Sequence, residues 1–106
     1  MSDKYILDDD GRPVPCDDLE AWAYWFETAE RHVADDMDEG EGAARVRVST
    51  VFLGLDHSWG HGPPVLWESM IFGGPLDGEQ QRYSSREEAL LGHHAMCLRA
   101  SQASQS

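Results

Sequence analysis

Residues 46–74 read VRVSTVFLGLDHSWGHGPPVLWESMIFGG, and this stretch decides the fold. Val46, Val48, Thr50 and Phe52 alternate with Arg47, Ser49, Val51 and Leu53. That is the two-residue period of a strand. Residues 65–73 repeat it, with Val65, Trp67, Ser69 and Ile71 on one face and Leu66, Glu68, Met70 and Phe72 on the other. Two long strands in succession most simply pair antiparallel. The link between them, Leu55–Pro64, is longer than a tight hairpin needs, and long loops in small domains are often functional.

Working outward toward the N-terminus, Tyr5-Ile6-Leu7 is a short strand signal followed by an Asp-Asp-Gly turn. Arg12–Cys16 returns beside it as an edge segment, because Pro13 and Pro15 remove ladder donors. Residues 17–34 read as a helix. Asp17 caps it with Glu20 three residues on, and Leu19, Trp22, Trp25, Phe26, Ala29 and Val33 form one apolar stripe. Residues 35–43, DDMDEGEGA, read as a solvated acidic loop, since they lack the ligand spacing of an EF-hand.

Toward the C-terminus, Gly74-Pro75 is a turn and residues 80–83 a short strand. Residues 84–99 read as a second helix, with a capping box at Ser84/Glu87 or Ser85/Glu88. Leu90, Leu91, His94, Cys97 and Leu98 are its expected buried stripe, which makes His94 a core histidine. The expectation is an α+β fold: an antiparallel β-sheet of three or four strands with two α-helices packed on one face. Residues 1–99 form one domain and 100–106 a disordered tail. Phe52 and Trp67 are expected to leave the opposite face partly apolar, which points to a homodimer.

At 106 residues the chain suits one modest core. No apolar run approaches the roughly 20 residues of a membrane span, and the opening MSDKYILDDD lacks a signal-peptide pattern. The expected setting is the host-cell cytoplasm, with Cys16 and Cys97 as reduced thiols.

Charge is the most unusual bulk property. The net value is −12, and residues 1–41 hold fourteen acids and three bases, a balance of −11. Such a surface repels nucleic acid, so direct nucleic-acid binding is excluded. It suits a basic protein partner. The candidate partner-binding residues are Asp8, Asp9, Asp10, Asp17, Asp18, Glu20, Glu27, Glu30, Asp35, Asp36, Asp38, Glu39 and Glu41, with Trp59 from the central loop as an aromatic anchor. The plainer reading is that the acids serve solubility or salt adaptation, since Lys4 is the only lysine.

The chain resembles a family of small uncharacterised phage, prophage and bacterial proteins. The matching segments are Ser49–His57 (STVFLGLDH), Gly62–Pro64 (GPP), Glu68–Gly74 with Met70, Arg82–Ser84 (RYS), Glu87–Ala89 (EEA) and Gly92-His93. The opening YILDDDGRPVP and the WAYWFE helix belong to the same pattern, so the likeness covers most of residues 5–94. Trp67 and Ser69 stand where the family prefers Phe and Thr. The resemblance implies a mobile-element accessory protein that binds, and inhibits, a basic nucleic-acid-binding host protein. That would be an anti-CRISPR-like or DNA-mimic inhibitor, whose carboxylates take the places of phosphates.

The competing chemistry is a zinc- or thiol-dependent enzyme. His57-x-x-x-His61 in the loop and His93-x-x-x-Cys97 on the second helix supply four zinc-type ligands, with Asp56 as a substitute or supporting group. Cys97 beside a histidine is the one thiol–imidazole candidate. No phosphate-binding glycine loop or nucleophile elbow is present. The sequence therefore favours a binding module over an enzyme, with a structural homodimer as a further alternative.

Overall fold

A computed structural model describes residues 3–38, 46–60 and 62–105. The elements are β1 (Tyr5–Leu7), β2 (Pro13–Pro15), α1 (Leu19–Thr28), β3 (His32–Asp38), β4 (Val46–Phe52), β5 (Trp67–Phe72), β6 (Gln80–Tyr83) and α2 (Arg86–Gln105). The α+β architecture is the expected one. β3, β4, β5 and β6 form an antiparallel sheet in that order, and β1–β2 is a separate hairpin. No helix among the described residues is long and apolar enough to cross a membrane.

β4 and β5 pair as their alternation predicts, with Val48 opposite Ile71, Thr50 opposite Ser69 and Phe52 opposite Trp67. All six side chains therefore point to one face, and α2 lies across it in contact with all four strands. The idea that Phe52 and Trp67 leave an apolar surface on the far side is thus corrected. They are register partners, both buried on the covered face. The open face carries Arg47, Ser49, Val51, Glu68, Met70 and Phe72, tied by Asp35–Arg47 and Glu68–Arg82 ion pairs.

The core has two apolar halves. Val46, Val48, Ile71, Met96 and Ala100 make one. Phe52, Leu66, Trp67, Tyr83 and Ala89 make the other, with Trp25 of α1 packed against it. Between them on β4, β5 and α2 lies a buried polar residue: Thr50, Ser69 and His93 respectively. A buried polar layer costs free energy unless its members bond one another, and these do.

Three expectations change. First, α1 ends at Thr28, and residues 32–38 form a strand rather than helix and acidic loop. Glu30 Oε1 accepts the His32 N–H at 2.8 Å and turns the chain. β4 is buried in mid-sheet and needs ladder partners on both edges, so β3 pairs with it despite the low strand propensity of aspartate. Second, α2 presents Ala89, His93, Met96 and Ala100 to the sheet, not Leu90, Leu91, His94 and Leu98, which are exposed. Small residues let the helix axis come close to the strands; Gly92 faces the Tyr83 ring directly. Third, the segment expected to be a disordered tail continues α2 to Gln105, and Ala100 is buried in the core. The caps also resolve. Asp18, one residue past the expected Asp17, accepts from the Glu20 and Ala21 amides, and Ser85 pairs with Glu88.

Candidate functional site

α2 crosses β3 and β4 so that His93, at its middle, meets side chains from both sides. His93 Nε2 lies 2.7 Å from Asp36 Oδ2 on β3. His93 Nδ1 lies 2.7 Å from Thr50 Oγ1, which lies 2.5 Å from Ser69 Oγ. A carboxylate only accepts, so His93 donates from Nε2. In the neutral ring Nδ1 then accepts the Thr50 hydroxyl proton, and Thr50 accepts from Ser69. One helical turn on, Cys97 Sγ lies 3.9 Å from the same Asp36 oxygen. Burial first, then the Asp36 charge and hydrogen bond, push the Cys97 thiol up. Asp36, His93 and Cys97 open into a cavity of about 480 Å³ also lined by His94 and Ser101.

The order hydroxyl, imidazole, carboxylate is that of a hydrolytic triad, but it runs inside out. Thr50 and Ser69 are 0% exposed while the Asp36 side chain is 71% exposed. A nucleophile must reach its substrate, and here the hydroxyls are the sealed end. The thiol–imidazole pair is not formed either, because Cys97 meets Asp36 rather than His93.

The predicted zinc set His57, His61, His93 and Cys97 is therefore revised. Among the described residues, His93 and Cys97 gather with Asp36, their ligand atoms all within 4.8 Å of one another, and His57 is not in that group. His61 lies outside the described residues. Asp56 serves the loop: its Oδ1 accepts from Ser58 N at 2.8 Å and Val65 N at 2.9 Å, closing the loop across its base.

Burial pulls the Asp56 carboxyl upward, but the two backbone hydrogen bonds and the neighbouring His57 outweigh it and hold it below the usual range. A depressed carboxyl stabilises the fold above its unfolded pKa, and that stabilisation is lost as pH falls through the folded value. The loop should accordingly loosen in acid, below about pH 4. Amide exchange at Ser58 and Val65 should accelerate there, and Asp56→Asn should remove the pH step. A step that persists in Asp56→Asn would assign it to another group.

The acidic residues divide sharply. Asp8 Oδ1 bonds the amides of Asp10 and Arg12 in the hairpin turn, and Asp18 caps α1. Glu30 holds His32, Asp35 grips Arg47 through two bonds of 2.9 and 2.8 Å, and Asp36 takes His93. Asp38 ends β3, opposite Val46, while Glu39 and Glu41 lie outside the described residues. That leaves Asp9, Asp10, Asp17, Glu20 and Glu27, all exposed, with no side-chain partner among the described residues.

Asp9 and Asp10 sit on the β1–β2 turn, Asp17 just before the cap of α1, and Glu20 and Glu27 on α1. Glu20 and Glu27 flank Tyr24 at helical spacing, and Tyr24 is 73% exposed. Nothing in the sequence separates Tyr24 from the stripe aromatics except its phase on the helix. Trp59 is 84% exposed, and at φ +57° it is the one non-glycine residue with positive φ among the described residues. Its loop is sewn to the same layer. Tyr5 N donates to Gly54 O, Asp56 N to Asp3 O, and the Trp22 indole to both Tyr5 O and Gly54 O. No family model, curated protein or solved structure matches the chain.

Proposed function

We propose that the chain is a protein-binding module that docks a basic, nucleic-acid-binding partner through its N-terminal layer. The observation that carries this reading is the division of the acids. Asp35 and Asp36 on β3 are bonded within the fold, whereas Asp9, Asp10, Asp17, Glu20 and Glu27 face solvent with no side-chain partner among the described residues, and Tyr24 stands exposed between the last two. An exposed aromatic flanked by two carboxylates offers both a desolvated anchor and a field for Lys and Arg. Trp59 adds a second anchor, held exposed on a backbone that an L-residue adopts at a cost. The mobile-element inhibitor role rests on the sequence resemblance together with this charge layout.

The docking set is accordingly narrower than the acidic run of the sequence: Asp9, Asp10, Asp17, Glu20, Glu27, Tyr24 and Trp59. Capture from host lysate should retain a basic protein at low salt and release it at high salt, since exposed charges are screened over roughly 10 Å at 0.1 M. Neutralising the five free acids together should weaken capture by roughly tenfold or more, which is 1.4 kcal/mol per decade. Asp35→Asn should leave capture intact and loosen Arg47 instead. Retention that ignores both salt and the five-site variant would refute the reading.

A further inference from the structure

We propose that Asp36, His93 and Cys97 form a divalent metal site of the zinc type, with three protein ligands and a fourth position open to the cavity. The donor atoms are Oδ2, Nε2 and Sγ, one each from a carboxylate, an imidazole and a thiol. That mixture suits zinc or cobalt and not the hard, oxygen-preferring magnesium or calcium. Zinc bonds of about 2.0–2.3 Å in a tetrahedron place ligand atoms roughly 3.3–3.8 Å apart. The observed Nε2–Oδ2 and Sγ–Oδ2 separations, 2.7 and 3.9 Å, bracket that range. A swing of the exposed Asp36 side chain away from the ring by under roughly 1 Å brings that first pair into range, and all three donor atoms lie within 4.8 Å of one another. The ligands come from two rigid elements. His93 and Cys97 are one turn apart on α2, and Asp36 stands on a paired strand.

The support behind the histidine is already in place. A ligating imidazole nearly always donates its other N–H to a fixed acceptor. Here that acceptor is Thr50 Oγ1, sealed in the core and held by Ser69. With a metal on Nε2 the ring proton sits on Nδ1 and is donated to Thr50, whose own proton turns to Ser69. Binding breaks the Cys97 S–H bond, forms the metal–sulfur bond and releases that proton to solvent. The ring only exchanges tautomers. Dication, thiolate and carboxylate then sum to zero charge. No lysine or arginine lines the cavity among the described residues, so of its described lining only the two histidines could offset the Asp36 carboxylate without a metal.

Cobalt(II) is the probe, added to the full chain. The expected result is one ion per chain with a thiolate-to-cobalt charge-transfer band in the near ultraviolet. Cys97→Ser should abolish the band, and Asp36→Asn should weaken binding tenfold or more. Thr50→Val should weaken it roughly 10–100-fold with the band retained. The double variant His57→Ala/His61→Ala should bind as the parent does. Asp36→Asn and Cys97→Ser alter partly exposed positions, so they keep the test decisive should Thr50→Val fail to fold. A folded parent that shows no band overturns the proposal. So does a band that survives Cys97→Ser, or one that vanishes with the loop histidines.

Discussion

Gly92→Ala is expected to destabilise the fold by about 3 kcal/mol, at the upper end of what overpacking a core costs. A β-carbon on Gly92 would stand 2.2 Å from the Tyr83 hydroxyl oxygen and 2.3 Å from two ring carbons. Tyr83 cannot simply retreat, because its ring is packed with Phe52, Leu66, Trp67 and Ala89. The strain must lift α2 from β6 or expel the ring. Lifting the helix also pulls His93 from Thr50, so the loss reaches both halves of the core. A domain of this length has about 5–15 kcal/mol in total, and the melting temperature should fall by roughly 12–24 °C. Tyr83→Ala in the Gly92→Ala background should couple favourably with it, by about 1 kcal/mol or more. A Gly92→Ala variant melting within roughly 3 °C of the parent would show slack at this crossing.

Phe52→Ala comes next, with an expected loss of about 3–5 kcal/mol. Phe52 is fully buried and stands edge-on to two indoles, Trp25 at 5.7 Å and Trp67 at 5.4 Å between ring centroids. One of those rings belongs to α1 and the other to β5. The phenyl ring is thus the joint between the N-terminal layer and the sheet, and edge-to-face pairs add to its area burial. Its removal should loosen α1 first. Amide protection over residues 19–28 should fall further than over β4 and β5, and tryptophan emission should shift red. Equal loss of protection in α1 and α2 would show that another contact ties α1 down.

How much of this was legible in the sequence depends on where each element gets its instructions. β4 and β5 carry theirs locally, since one face is buried and the side-chain period is 2, and register follows. The β1–β2 hairpin is equally local, written in Asp-Asp-Gly and two prolines. α1 is different. Its apolar period continues through Ala29 and Val33, and what stops it is the bare outer edge of β4, a demand made by a segment more than ten residues away. α2 misleads for another reason. Leucines dominate any hydrophobicity count, yet close approach to a sheet favours alanine and glycine, so the buried line runs through Ala89, Gly92 and Ala100.

The site was half legible. His93 and Cys97 announce themselves by their spacing. Asp36 does not, because its role depends on sitting opposite Val48 in a strand that the composition disguises. The choice of His93 over His94 follows once α2 is rotated onto its alanine line. The same disguise hides which acids are bonded within the fold, since Asp35 and Asp36 look like free charge in a composition count.

β3 is the outermost strand of the described sheet, and its outer backbone edge, which pairs with no strand among the described residues, is a template on which another strand can grow. Asp35 and Asp36 stand along that strand. A second copy of β3 laid alongside would bring two more aspartates onto a neighbouring strand about 4.8 Å away. Like charges at that spacing oppose one another directly. The aspartates therefore guard the protein against fibrillar self-association, a protection that costs the fold little because Asp35 and Asp36 are already occupied by Arg47 and His93.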